Sequence, residues 1–171
     1  MLSKHPNATA EEISERVAGR LKRQVILDRT VPLPPVIWVL LDENVLRREI
    51  GSPKIMREQL LHLVELAERP NITIQVISRI GAHPGLHGAF AIAETQDHRT
   101  IVYLETAADG QTLEDPGTAA DMALMFDTLR TEAYKGSESL ALIERVAEEW
   151  TKTAPQPGAN QATAELTAAT A

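Results

Sequence analysis

Two imidazoles, His83 and His87, sit four residues apart within Gly81-Ala82-His83-Pro84-Gly85-Leu86-His87-Gly88. Imidazole pairs ligate zinc, copper or nickel, but a competent site needs at least a third ligand. Glu94, Glu105 or Asp109 could supply one only if the chain returns it to this turn. Spacing four makes histidines converge on a helix, and Pro84 and Gly85 break a helix there. A metal is therefore not the expected occupant. Two uses of the rings stay open: hydrogen bonds that hold the turn, or polar contacts to a small ligand. Three glycines and one proline in eight residues set a tight turn, because glycine reaches positive φ and proline fixes φ. The segment is either a structural corner or the lip of a ligand site.

Carboxylates recur where elements end. Asp42 and Glu43 follow one apolar run, Glu105 follows another just after Tyr103, and Glu114-Asp115 precede a helix-like stretch. Loops at strand ends are where α/β proteins place ligand groups. Asp115 reads first as a helix cap, and Glu105 is the carboxylate to suspect for chemistry. The candidate ligand residues are accordingly His83, His87, Tyr103 and Glu105. No catalytic set follows from the residue types. There is no cysteine, which removes thiolate catalysis, iron–sulfur clusters and disulfides. There is no Gly-x-Ser-x-Gly elbow, and Ser52 reads as a helix cap. The glycine-rich turn leads into a strand rather than a helix, unlike a phosphate-cradling loop. No cofactor is expected.

The elements that must position these groups follow from composition and periodicity. The 171 residues are 43% apolar but only 4% aromatic. One domain is expected, with a core of Leu, Ile, Val, Ala and Met. No apolar run reaches the ~18 residues of a membrane span, and no signal-peptide core opens the chain. A cytoplasmic setting is the expectation. Net charge is −7, with +2 over residues 1–29 and −9 over the rest, a balance that opposes direct nucleic-acid binding.

Along the chain, residues 1–9 read as a flexible lead. Ala10 to Arg29 carries Ile13, Val17, Leu21 and Val25 at spacing four, with Thr9 as the cap and Glu11 and Glu12 in the first turn. Arg16, Arg20 and Arg23 form a second stripe, either a solvated face or a partner-docking surface. Residues 36–41 read as a buried strand, and a short helical turn follows through Arg48. Ser52-Pro53 opens a helix that Arg69-Pro70 stops. Ile72 to Ile77 alternates as a strand; Ala89–Glu94 and Thr100–Glu105 read as a hairpin, and Gly110–Glu114 reads as a short edge strand. Asp115-Pro116 opens the next helix, and Ser137 reads as the cap of a last one ending near Trp150. Trp38 and Trp150 read as core aromatics. Residues 151–171 lack core-forming residues and read as a disordered tail. The fold class is α+β (mixed α/β): about four strands, partly antiparallel, with four to five helices against them, all in residues 10–150.

In their order, these segments resemble a known family. Ile13-Ser14-Glu15-Arg16-Val17, Trp38-Val39-Leu40-Leu41-Asp42-Glu43, Met56-Arg57-Glu58-Gln59-Leu60 and Leu66-Ala67-Glu68-Arg69-Pro70-Asn71 carry the likeness in the first half. The Gly81–Leu86 turn, Val102-Tyr103-Leu104-Glu105, Leu113-Glu114-Asp115-Pro116 and Phe126-Asp127-Thr128-Leu129-Arg130 continue it. The chain resembles the C-terminal domain of unknown function of actinobacterial helix-turn-helix, antitoxin-like transcriptional regulators. The resemblance implies a sensory, oligomerising or partner-binding part. Because nine residues precede the first helix, the DNA-binding module is expected to be absent. Two functions follow as expectations. One is a stand-alone regulatory domain that binds a small-molecule ligand, a protein partner or itself. The other is a small cofactor-free cyclase or isomerase acting on a natural-product intermediate.

Overall fold

A computed structural model describes residues 9–78, 83–106 and 110–153, with His87 described by its backbone alone. The calls on residues 1–8 and 154–171, and on Gly81, Ala82 and Asp109, lie outside the described residues. The chain forms two compact units, Met1–Ile37 and Trp38–Ala171.

The first unit is built on α1 (Ala10–Gln24). Thr9 caps it reciprocally: its hydroxyl accepts from the Glu12 N–H (3.2 Å) and its own N–H donates to Glu12 Oε2 (2.9 Å), satisfying two donors that the first turn leaves open. The helix ends before Arg29, tightening into a 3-10 turn over Val25–Leu27. Arg29 then turns its Nε onto the Leu33 carbonyl (2.9 Å). None of the residues of α1 is buried.

The second unit is mixed α+β. Among the described residues its strands form two sheets: β1 (Ile37–Asp42) pairs parallel with β2 (Ile72–Ile77), and β3 (Phe90–Glu94), β4 (Thr100–Leu104) and β5 (Gln111–Leu113) form an antiparallel meander. The division of the strands has a local cause. The far edge of β2 is occupied by the segment after α4 (Pro116–Glu132): Ala133 bridges Ile77, and the Tyr134 N–H donates to the Val76 carbonyl (2.9 Å). With that edge closed, the meander builds its own sheet. Its register runs Ile92↔Val102 and Val102↔Leu113. The β3–β4 turn is closed by the Thr95 N–H on the Arg99 carbonyl (2.9 Å), with His98 at φ 58°.

Helices α3 (Pro53–Ala67) and α5 (Gly136–Thr153) pack together and onto β2, while α4 contacts β2, β3 and β4 and so joins the two sheets. The core lies at that junction. Ile74, Val76 and Ile77 of β2, Leu60 of α3, Leu129 of α4 and Ile143 and Val146 of α5 are all buried. On α3 (Met56, Leu60) and α5 (Leu142, Ile143, Val146, Ala147) the buried residues recur at spacings of three and four, which gives these two helices one apolar face each. Strand β2 is covered on both faces, so Gln75 is buried along with its apolar neighbours. Short α2 (Glu43–Arg47) is tied to α5 by the Trp150 indole, which donates to the Leu46 carbonyl (2.9 Å), and by the Arg47–Glu149 ion pair.

Helix starts follow local chemistry. Ser52 accepts from the Ile55 N–H (3.3 Å) with Pro53 at the first turn. Asp115 accepts from the Thr118 N–H (2.8 Å) and hydroxyl (3.0 Å). At α5 the start differs from the expected Ser137 cap. The helix begins at Gly136, and Glu138 accepts from the Lys135 N–H (3.0 Å). The serine that matters is Ser139. It is fully buried, accepts from the Val76 N–H (3.0 Å) and donates to the Tyr134 carbonyl (3.2 Å).

Ser139→Ala leaves the Val76 N–H buried without an acceptor and should lower stability by about 1–3 kcal/mol, measured by urea denaturation. The carboxyl of Asp115 is held below its ordinary value, first by the Thr118 N–H and then by the Thr118 hydroxyl. A depressed folded-state value means the cap stabilises fully above the unfolded-state pKa and loses this contribution as pH falls through the folded one. Asp115→Ala should therefore melt at a lower temperature than the parent at neutral pH. The gap should close as the pH is taken below the ordinary aspartate range, read from melting curves across pH.

Candidate functional site

Parallel strands place their carboxyl ends on one side, and there the polar side chains gather. β1 ends at Asp42, which does two jobs. Its Oδ1 accepts from the Asn44 N–H (2.6 Å), starting α2, and its Oδ2 lies 3.2 Å from His83 Nε2. His83 precedes a 3-10 turn, Pro84–His87, closed by the Leu86 N–H on the His83 carbonyl (3.1 Å). Gly88 ends that turn at φ 151°, a conformation that suits glycine.

The His83 side chain is 6% exposed and Asp42 21%. A carboxylate only accepts, so Nε2 carries the hydrogen that points at Asp42, and in a ring protonated there alone Nδ1 is an acceptor. Nδ1 is buried and, among the described residues, has no hydrogen-bond partner. A buried acceptor left open costs about 1–3 kcal/mol and calls for an explanation. Gly85 is what leaves room beside it: a Cβ there would stand 3.1 Å from Nδ1 and 3.2 Å from Cε1, with Leu129 next at 3.5 Å.

A second polar chain crosses the same strand pair. The Trp38 indole donates to Gln75 Oε1 (2.7 Å), and Gln75 Nε2 donates to the Tyr134 carbonyl (2.8 Å). The Arg130 guanidinium lies over the Trp38 ring, 4.6 Å from its centre, in cation–π geometry. Trp38 is thus not the core aromatic the sequence implied. It is 43% exposed, because its N–H must reach Gln75 while its face is covered by a charged group.

The four expected ligand residues stand in different settings. His83 is buried and paired, whereas the His87 side chain lies outside the described residues. Tyr103 stands on β4 with its ring over Gly110, a position only glycine leaves open to it. Glu105 is exposed beyond β4, its N–H donating to the Ala89 carbonyl (3.0 Å). The far end of the turn does approach Glu105, since a Cβ on Gly88 would stand 3.9 Å from its carbonyl oxygen. Arg16, Arg20 and Arg23 are exposed on α1. Among the described residues no group of three His, Asp or Glu side chains is placed to hold a metal ion, and no helix is long and apolar enough to cross a membrane. Asp42 is the residue that sequence reasoning left without a role. Its signal was its place at the end of an unbroken apolar strand.

The fold and this pair define an α+β domain with an imidazole–carboxylate pair at the carboxyl end of two parallel strands. A family model covers residues 1–145, and the chain belongs to that family, described as a domain of unknown function, DUF5753. No curated protein and no solved structure matches the chain.

Gly85→Ala should push the His83 ring off Asp42 and lower stability by about 1–3 kcal/mol. The displacement is expected as a change in the His83 ring signals by NMR, with the rest of the spectrum kept.

Proposed function

We propose that this chain is a regulatory domain that binds a small molecule, and that it acts without contacting DNA itself. The single observation that carries the reading is the open Nδ1 of His83, buried and oriented by Asp42. Such an atom selects a ligand that brings a hydrogen-bond donor, such as a hydroxyl, an amine or an amide N–H. The position supports the same reading, because ligands of open α/β sheets bind outside the carboxyl ends of parallel strands. The resemblance to antitoxin-like regulators supplies the regulatory context, and the net charge of −7 disfavours a polyanionic partner.

The imidazole–carboxylate pair also favours a second reading. A ring whose Nε2–H is held by a carboxylate and whose Nδ1 is open has the layout of a general base. That layout would serve a cofactor-free isomerase or cyclase, with Asp42 as the positioning residue.

Native mass spectrometry of the gently purified protein tests both. A noncovalent small molecule on the parent protein, lost in His83→Ala, is the expected result. The same occupancy in both proteins, or none in either, would overturn the assignment to His83. Incubating the complex in D2O separates the readings: a binder leaves the ligand's carbon-bound hydrogens unchanged, whereas an isomerase exchanges one.

A further inference from the structure

A helix of five residues, α2, is too short to hold itself, because helix ends leave their N–H and carbonyl groups without partners inside the helix. Its order depends on what grips its two ends. At the start, the Asp42 carboxylate accepts from the Asn44 N–H (2.6 Å). At the end, the Leu46 carbonyl accepts from the Trp150 indole (2.9 Å), and Arg47 pairs with Glu149. Both of these last partners stand on α5. The Leu46 side chain is buried and anchors the middle. The grip is incomplete at Arg47. Its Nε lies 3.5 Å from Glu43 Oε1 and, among the described residues, is buried with no hydrogen bond. One helical turn with a buried donor left open is an element of low local stability, of the kind that opens before the rest of a fold.

Asp42 joins this element to the histidine turn. Its Oδ2 faces His83 Nε2 at 3.2 Å while its Oδ1 caps α2, so two donors fix the plane of one carboxylate. That carboxylate is mostly out of water. When the ring's donor is withdrawn it loses one of its two partners, and turning toward solvent becomes the cheaper arrangement. The same rotation takes Oδ1 off the Asn44 N–H.

We propose that α2 is a relay between the histidine turn and the C-terminal end of α5. Drawing the His83 ring off Asp42 loosens α2, and with it the contacts of Leu46 with Trp150 and of Arg47 with Glu149. The path runs through groups bonded one to the next, and α2, capped or frayed, is the two-state element that such coupling needs. The relay rests on the ligand reading for its use, since it carries the engagement of His83 to α5. The link itself is tested without a ligand, so the two can fail separately.

Hydrogen exchange of the full chain, read residue by residue by NMR, tests it. Asp42→Ala removes both the cap and the ring's acceptor, and the Leu46 and Arg47 amides should exchange about tenfold faster. His83→Phe keeps a ring but drops the donor, and should speed the same amides and the Trp150 indole N–H by about three- to tenfold. His83→Ala, which drops the donor without adding volume, should do the same. His83→Gln keeps an amide donor and should stay within about twofold of the parent. Combining His83→Phe with Asp42→Ala should add nothing to Asp42→Ala alone, because both act through one carboxylate. The Leu60 amide of α3 is the reference and should keep its parent rate. Unchanged α2 rates in His83→Phe and His83→Ala overturn the relay. So does equal acceleration in His83→Gln, an additive double variant, or a Leu60 amide that speeds up as much as α2.

Discussion

Strand β2 is buried on both faces and along both edges, so every polar group on it must be met inside the protein. Ser139 meets the hardest of these demands. Its hydroxyl accepts from Val76 and donates to Tyr134, joining the first turn of α5 to the strand and to the segment that closes the strand's edge. Gln75 answers a second demand by bridging the Trp38 indole and the same Tyr134 carbonyl. A buried donor without an acceptor costs more than a typical hydrogen bond contributes. The order of layers around β2 is therefore set by polar matching as much as by apolar burial.

The candidate site follows from that order. With β2 central and β1 alongside in parallel, Asp42 arrives at the carboxyl end of β1, and the chain leaving β2 brings His83 to within 3.2 Å of it. One carboxylate then holds both a helix start and a ring. Fixing the ring by one nitrogen leaves the other buried and without a hydrogen-bond partner among the described residues. Gly85 packs against the ring at that nitrogen, where a Cβ would stand 3.1 Å away.

The two units differ in how they reach stability. The Trp38–Ala171 unit buries its apolar faces within itself, and α4 serves two sheets at once. In α1 the caps and first-turn carboxylates are in place, yet the apolar face stays exposed. Local signals are enough to say where a helix begins, and they leave open what it packs against.

Much of the fold was legible for that same reason. Thr9, Ser52-Pro53 and Asp115-Pro116 marked helix starts because a cap acts within three residues, and the alternation of Ile72–Ile77 and the Thr95–Arg99 turn are equally local. These features were determined by the sequence alone. Asp42 and His83, 41 residues apart, form a pair only once two strands run parallel, and nothing in their spacing shows it. Ser137 looked like the cap and Ser139 like any other helix serine, until burial against β2 reversed their importance. Trp38 read as core by its apolar neighbours and became exposed when Gln75 and Arg130 claimed its edge and face. Short-range hydrogen bonding and side-chain period belong to the chain, whereas which polar groups end up buried together belongs to the packing of elements distant in sequence.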